Sequence, residues 1–189
     1  MRKKLVAGLT TGLLMLGIGG MANATVTQWT TGSGANNHWY DVITTTSSIT
    51  WEDARNSLSS NWHLVTITSA EEDLFVSNLL YSQRTTRAEN YWLGGFQPEG
   101  STEPDGGWSW VTGETWSYSN WSPGEPNNGG GTQHYLHYWP EGTWQWDDMD
   151  NRNTMVGYVI ESPVPEPATT LLFGTGIAGL AGSRLRRKK

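Results

Sequence analysis

Tryptophan is the residue that sets the narrowest limit on how this chain folds. Twelve tryptophans lie between Trp29 and Trp146, and the chain has no cysteine with which to form disulfides or thiolate metal sites. Glycine is also frequent, with 23 residues, whereas the helix-forming residues Lys, Glu and Leu are not dominant. This composition predicts a fold rich in strands and loops, with a core built from large aromatic side chains.

The charged residues are distributed unevenly along the 189 residues. The cations cluster at the two ends, and only four arginines and no lysine lie within residues 25–163. Seventeen of the eighteen acidic residues lie between Asp41 and Glu161, which gives this middle part a formal charge of about −13. Such a charge repels nucleic acid and anionic lipid and favours cations, although solubility alone accounts for most of these acids.

The N-terminal residues have the pattern of an export signal. Residues 1–24 combine the cations Arg2-Lys3-Lys4, an apolar run and the small residues of Ala22-Asn23-Ala24. This order predicts a secretory signal peptide, with an uncleaved membrane anchor as the alternative. Either interpretation places the middle of the chain outside the cytoplasm.

The C-terminal residues 164–189 have three parts, which are Pro165-Glu166-Pro167, an apolar run and a basic end. The apolar run is short for a membrane span, which needs about 20 residues. The order resembles the PEP-CTERM tail that exosortase-type enzymes process in Gram-negative bacteria. The resemblance implies transient retention of a transmembrane helix in the inner membrane. It also implies cleavage near Pro-Glu-Pro and transfer to the cell surface or a biofilm matrix; a permanent anchor is the alternative. Residues 25–163 then form the working domain.

The middle of the chain carries signals for two helices and several short strands. Thr50 followed by Asp53, and Ser69 followed by Glu72, predict two helix N-termini. Residues 44–48 are polar and are predicted as a loop. The predicted helices span residues 51–58 and 70–82, and the predicted strands span residues 39–43, 63–67, 91–96, 108–111, 135–139, 144–148 and 156–161.

A long segment rich in Gly, Pro, Glu and Asp begins at Gln97 and contains one short predicted strand. A loop of this length inside a compact domain is usually functional. Within it stands Gly124-Glu125-Pro126-Asn127-Asn128, and Trp146-Asp147-Asp148 follows about twenty residues later, with Gln133 between them. Carboxylate and amide oxygens are the ligands that Ca²⁺ prefers, so these residues predict a calcium site.

Eight motifs follow one another between Trp39 and Glu161, and they are Trp51-Glu52-Asp53-Ala54, His63-Leu64, Trp92-Leu93-Gly94-Gly95, Trp108-Ser109-Trp110, Gly113-Glu114, Asn120-Trp121, Glu125-Pro126-Asn127 and Trp146-Asp147-Asp148. Their order resembles that of a C-type lectin-like domain in its bacterial secreted form. The resemblance implies an α+β fold in which two helices flank two small antiparallel sheets and a long calcium-binding loop. The family usually has two disulfides, whose places here are taken by Leu58 with Ile160 and by Tyr135 with Asn151.

The same resemblance implies which residues bind the ion. Gln133 stands where the family usually has Glu, and Asp147 stands where it usually has Asn. The exchange keeps three carboxylates and two amides, so calcium binding is still expected. The implied calcium ligands are Glu125, Asn127, Gln133, Asp147 and Asp148, and the implied carbohydrate-binding residues are Glu125, Asn127, Gln133 and Asp147.

In this family two neighbouring sugar hydroxyls coordinate the ion, and each also contacts a carboxylate and an amide. The pair Glu125 and Asn127 has the usual order, which suggests mannose-, glucose- or fucose-type diols, and the pair Asp147 and Gln133 has the reverse order. The sequence therefore predicts a secreted, calcium-dependent carbohydrate-binding protein that engages exopolysaccharide or surface glycans. The alternative is a non-catalytic adhesion or matrix protein that uses the same fold for protein contacts.

An enzyme is the third class of function considered. His134 and His137 have a spacing that suits a zinc pair on a helix, but their segment has the composition of a strand. No third ligand, general base or nucleophile-elbow pattern accompanies them. We therefore predict structural histidines and no catalytic activity.

Overall fold

A computed structural model describes residues 26–83, 90–139 and 144–163. The predicted signal peptide and sorting tail lie outside these described residues. No helix within the described ranges combines the length and hydropathy needed to cross a bilayer. The helices are α1 (Trp51–Asn56) and α2 (Ala70–Gln83), and the strands are β1 (Thr27–Gln28), β2 (Trp39–Ile49), β3 (His63–Leu64), β4 (Tyr91–Phe96), β5 (Ser109–Trp110), β6 (Tyr135–Trp139), β7 (Gln145–Met149) and β8 (Met155–Ser162).

The strands form one sheet in the order β1-β2-β8-β4-β6-β7, with β3 also paired to β8 and β5 to β4. Every pairing is antiparallel except that of β4 with β8, where Tyr91 and Trp92 run parallel to Gly157 and Tyr158. This short parallel ladder joins the antiparallel group around β8 to the antiparallel group around β6. The α+β class predicted from the sequence is confirmed, and the two predicted sheets are continuous through β4 and β8.

Both predicted helix starts are present. The Thr50 hydroxyl accepts a hydrogen bond from the Asp53 N–H at 3.1 Å, and the Ser69 hydroxyl accepts one from the Glu72 N–H at 3.2 Å. The carboxylate of Glu72 accepts from the Thr68 N–H at 2.8 Å. Glu72 therefore points into the protein interior and caps the backbone one residue earlier than a standard capping box would.

The prediction of a loop over residues 44–48 is wrong, because β2 continues through these residues to Ile49. β2 pairs with β8 at Thr44 and again at Ile49, with an irregular register between them, and the side chains of this polar segment face mostly outward. The predicted strand over residues 63–67 ends instead at Leu64. There the Val65 N–H donates to the Val159 carbonyl and the Val65 carbonyl accepts from the Gly94 N–H, so Val65 bridges two strands without extending β3.

Aromatic side chains fill the core as the composition predicted. Trp146 on β7 is fully buried, and Trp110, Trp116 and Trp121 surround it with ring-centroid distances of 5.6 to 5.8 Å. These contacts tie the long loop to the sheet, and aromatic pairs of this kind contribute about 0.5–1.5 kcal/mol each beyond burial.

The residues predicted to stand in place of the two disulfides are integrated in two different ways. Ile160 is buried and Leu58 packs against the same core cluster. Tyr135 and Asn151 share a partner, because the Tyr135 hydroxyl donates to the Glu52 carboxylate at 3.4 Å and the Glu52 N–H donates to the Asn151 side chain at 3.1 Å. Leu58 and Ile160 are therefore held by apolar packing, whereas Tyr135 and Asn151 are connected by hydrogen bonds to Glu52 of α1.

Candidate metal and sugar site

Backbone pairing brings the long loop to β7. The Trp146 N–H donates to the Asn120 carbonyl at 2.7 Å, and the Ser122 N–H donates to the Trp146 carbonyl at 2.8 Å. A turn follows in which the Glu125 N–H donates to the Ser122 carbonyl at 2.9 Å. Glu125 therefore reaches the same place as Asp147, the residue that follows Trp146.

Three carboxylates meet at this place. One oxygen from each of Glu125, Asp147 and Asp148 lies within 4.8 Å of the other two. Both aspartates are buried, and the Glu125 Oε2 atom is buried without a hydrogen-bond partner among the described residues. An unpaired buried carboxylate oxygen beside two further acids is unfavourable in the absence of a cation.

The same crowding perturbs the acidity of Glu125. Burial first, and then the charges of Asp147 and Asp148, raise the pKa of Glu125 to about 7. A divalent cation among the three oxygens would reverse this effect, because it would favour the ionised form of each ligand.

Asp148 also organises the loop that faces it. Its Oδ1 atom accepts from the Asn127 N–H at 2.9 Å, and its Oδ2 atom accepts from the Asn128 N–H at 2.8 Å. The Glu125–Pro126 peptide bond between these segments is cis. Asp148 thus holds the backbone of the Glu-Pro-Asn motif against β7.

The two predicted amide ligands lie on either side of Gly129. A Cβ atom added at Gly129 would lie 2.5 Å from Gln133 Oε1 and 3.0 Å from Asn127 Oδ1, so a larger residue there would displace these two side chains. The Gly129 N–H donates to Gln133 Oε1, and the Gln133 N–H donates to Asn128 Oδ1 at 3.0 Å. The structure therefore brings three of the predicted ligands together by their carboxylates and places both amides in the loop that Asp148 holds.

Two contacts near the site were not predicted from the sequence. His137 lies opposite Asp147 in the pairing of β6 with β7, and its buried Nε2 atom is 3.4 Å from Asp147 Oδ2. Asp73 of α2 accepts a hydrogen bond from the Trp146 indole at 3.2 Å. The contact of His137 could have been predicted from the register of β6 with β7. No sequence pattern predicts that Asp73 lies near β7.

A family model supplies the deciding comparison. The model of the lectin C-type domain matches residues 47–159. The chain belongs to the C-type lectin domain family. A second model, of the PEP-CTERM protein-sorting motif, matches residues 163–188, so the C-type lectin domain is followed by this sorting motif.

The matches to known relatives of this C-type lectin domain cover only part of each relative. Perlucin of Haliotis laevigata is 37% identical over 87 residues, which cover 46% of this chain and 52% of perlucin. C-type lectin domain family 10 member A of Homo sapiens is 33% identical over 114 residues, covering 56% of this chain and 32% of that protein. The chain therefore spans about half, or less, of the length of these relatives.

Solved structures show the same fold. The C-type lectin CEL-I from Cucumaria echinata superposes with a TM-score of 0.56 at 23% identity, covering 66% of this chain and 89% of CEL-I. The C-type carbohydrate-recognition domain of cow CD23, solved in the presence of a GlcNAc2Man3 oligosaccharide, gives a TM-score of 0.55 at 24% identity, covering 68% and 90%. The predicted C-type lectin-like fold is confirmed.

C-type lectin domains generally bind Ca²⁺, and the residues present fit that ion. Ca²⁺ takes six to eight oxygen ligands, and this region offers three carboxylates and two amides from one loop and one strand. The unpartnered Glu125 Oε2 is the atom that a cation would satisfy.

Proposed function

We propose that this protein is a calcium-dependent carbohydrate-binding lectin. In this proposal Ca²⁺ is held by Glu125, Asn127, Gln133, Asp147 and Asp148. The observation that carries the proposal is the convergence of three carboxylates, where one buried carboxylate oxygen has no hydrogen-bond partner in the described part of the chain. Like charges held this close favour a divalent cation over the empty arrangement.

The proposed sugar ligand presents two neighbouring hydroxyls. The bound ion supplies open coordination positions for them, while carboxylates accept and amide N–H groups donate. Glu125 and Asn127 serve one hydroxyl, and Asp147 and Gln133 serve the other with acceptor and donor exchanged. Mannose-, glucose- or fucose-type diols on exopolysaccharide or surface glycans are the proposed class. The exchanged pair alters the direction of the second set of hydrogen bonds.

The proposed location is the cell surface or extracellular matrix of a Gram-negative bacterium. Residues 1–24 serve as the signal peptide, residues 25–163 as the exported domain and residues 164–189 as the sorting tail. The match to the PEP-CTERM motif supports this division and an exosortase-type enzyme as the processing partner. We propose no catalytic activity and no nucleic-acid ligand.

A second candidate is adhesion through protein contacts, again without catalysis. Leu74 and Tyr81 on α2 are 62% and 58% exposed, and they lie seven residues apart on the outer side of the helix. Exposed apolar residues at this spacing share a helix face, which favours a protein contact there. This surface is on the helix and not on the loop that carries the carboxylates.

A glycan array with the full-length chain, kept in a neutral detergent, tests the lectin function. We expect retention on glycans with vicinal diols in calcium and its loss in EDTA. The double variant Glu125→Ala with Asn127→Ala should lose retention, whereas Glu99→Ala, an exposed acid on the same long loop, should keep it.

The melting temperature of the same samples supplies a second measurement. Calcium should raise it, because an ion that binds only the folded state stabilises that state by mass action. An unchanged melting temperature together with calcium-independent retention would reject the metal site. Retention lost only in a Leu74→Ser, Tyr81→Ser variant would favour the protein-contact function.

A further inference from the structure

Asp73 is a buried acid whose two carboxylate oxygens are both fully hydrogen-bonded within the described part of the chain. It lies on α2 and is 5% exposed. Its Oδ1 atom accepts from the Tyr138 hydroxyl at 2.5 Å and the Trp146 indole at 3.2 Å. Its Oδ2 atom accepts from the Tyr118 hydroxyl at 3.1 Å and the Asn120 amide at 2.6 Å. Four donors fill the lone-pair positions of this carboxylate.

The donors come from three separate segments. Tyr118 and Asn120 belong to the long loop, Tyr138 lies on β6 and Trp146 lies on β7. Asn120 and Trp146 are also joined to each other, because the Trp146 N–H donates to the Asn120 carbonyl at 2.7 Å. Asp73 therefore bonds to both members of the backbone pair that connects the loop to β7.

The backbone pair of Asn120 and Trp146 lies next to the carboxylate site in the chain and positions it. Asp147 follows Trp146 directly, and the turn that presents Glu125 begins at Ser122, whose N–H donates to the Trp146 carbonyl. A shift of the loop relative to β7 changes the separation of Glu125 from Asp147. Metal affinity is sensitive to the residues that orient the ligands as well as to the ligands themselves.

We infer that Asp73 is a positioning residue for the calcium site, which sets the separation of Glu125 from Asp147 by clamping Asn120 to Trp146. This inference rests on the proposed calcium function. According to this inference, calcium affinity depends on α2, although that helix carries none of the predicted ligands. A shift of Asp73 with α2 is therefore expected to change calcium affinity.

The neighbouring acid Glu72 provides a matched control. It is 3% exposed and also has four hydrogen-bond contacts, from the Tyr40 hydroxyl, the Asn36 amide, and the Thr68 N–H and hydroxyl. All of these partners lie on β2 or next to it, or at the start of α2, away from the long loop. Glu72 and Asp73 thus share helix, burial and bonding but face different segments.

Calcium titration calorimetry on the full-length chain, in detergent and well below the unfolding temperature, separates the two roles. We expect Asp73→Asn to weaken calcium binding about tenfold, by loss of ligand orientation. Glu72→Gln should lower the melting temperature to a similar extent and change calcium affinity less than about twofold. A merely structural role for Asp73 predicts equal calcium affinity for the two variants, and that result overturns the inference.

A milder pair of variants applies if Asp73→Asn does not fold. Tyr118→Phe removes one donor to Asp73 and keeps the ring against Trp146, whose centroid is 5.6 Å away. Tyr40→Phe removes the corresponding donor to Glu72. Weaker calcium binding in Tyr118→Phe but not in Tyr40→Phe supports the inference, and unchanged binding in both contradicts it. A wild-type chain that binds no calcium rejects the proposed function itself, and the inference with it.

Discussion

The carboxylate of Asp73 accepts four hydrogen bonds inside the protein, whereas the carboxylate of Glu125 faces two other carboxylates. Burial raises the pKa of both side chains. At Asp73, however, hydrogen bonds from Tyr138, Trp146, Asn120 and Tyr118 oppose the effect of burial. At Glu125 the charges of the neighbouring acids add to it.

The Asp73 carboxylate is satisfied by hydrogen bonds within the folded chain, whereas the Glu125 carboxylate is suited to bind a ligand. Donors from three segments satisfy Asp73 when the chain folds, so its contribution does not depend on solution calcium. Glu125 has a buried oxygen without a hydrogen-bond partner among the described residues, which a proton or an added cation would satisfy. Local conflict of this kind is expected at functional sites, and the rest of the fold compensates for it.

The largest effect is expected from Asp73→Asn in the absence of calcium. The variant places an amide N–H group among four donors and leaves at least one of them unsatisfied, so we expect a loss of about 3 kcal/mol in the free energy of unfolding. Urea unfolding in EDTA measures this value. A loss below about 0.5 kcal/mol would show that the network contributes little, and the contrast with Glu125 would then disappear.

Glu125→Gln is expected to have the opposite sign in the same buffer. Removing one of three crowded charges relieves repulsion, so the free energy of unfolding without calcium should rise by about 0.5–1 kcal/mol. Calcium affinity should fall about a hundredfold, or about 2.7 kcal/mol, because ligand charge dominates Ca²⁺ affinity. Unfolding and calorimetric titration measure the two quantities on one sample. Glu114→Gln, an exposed acid of the long loop, is the matched control and should change neither.

The pH dependence sharpens the comparison further. A pKa of about 7 at Glu125, against about 4.3 for an unfolded chain, means that the folded state binds the additional proton between these values. Without calcium, the contribution of Glu125 to the free energy of unfolding therefore falls as the pH rises from about 4.3 to about 7. Calcium displaces that proton, so the calcium-induced rise in melting temperature should grow over the same interval. In Glu125→Gln we expect the calcium-induced rise in melting temperature to be independent of pH. The same independence in wild type would contradict the role of Glu125 as the group that titrates.

The sequence was sufficient to predict the fold, and to predict that Glu125, Asp147 and Asp148 lie together, because ordered local motifs carry both. Thr50 with Asp53 marks a helix start, and Glu125-Pro126-Asn127 with Asp147-Asp148 marks a loop and a strand whose oxygens suit calcium. Backbone pairing that reaches across the chain was harder to predict. The polar residues 44–48 have the composition of a loop, but they continue β2 because β8 pairs with β2 at both ends of this segment, at Thr44 and at Ile49.

Asp73 shows most clearly what sequence patterns do not contain. As one of three consecutive acids in the first turn of α2, it has the sequence of a solvent-exposed helix start that favours the helix dipole. Its partners Tyr118, Asn120, Tyr138 and Trp146 lie 45 to 73 residues away along the chain. No periodicity connects positions so far apart, so this network is visible only once the fold is known.

The smallest effect is expected at a third acid, Glu161, whose partner is itself titratable. His38 Nδ1 lies 2.6 Å from a Glu161 oxygen, and this hydrogen bond raises the pKa of His38 even though burial lowers it. A raised pKa means that His38 stabilises the fold below about pH 6.5, and that this contribution is lost as the pH rises through the folded-state value. The His38 side chain is 30% exposed, so we expect less than about 1 kcal/mol.

Urea unfolding of wild type and His38→Gln at pH 5.5 and pH 9 measures the contribution of this pair. The two proteins should differ at the lower pH and converge at the higher one. Their difference isolates His38 from the other groups that titrate over the range, such as Glu125. Equal differences at both values would show that the histidine acts by packing alone. Glu161 would then resemble Asp73, as an acid whose hydrogen bonds do not depend on a proton or an ion.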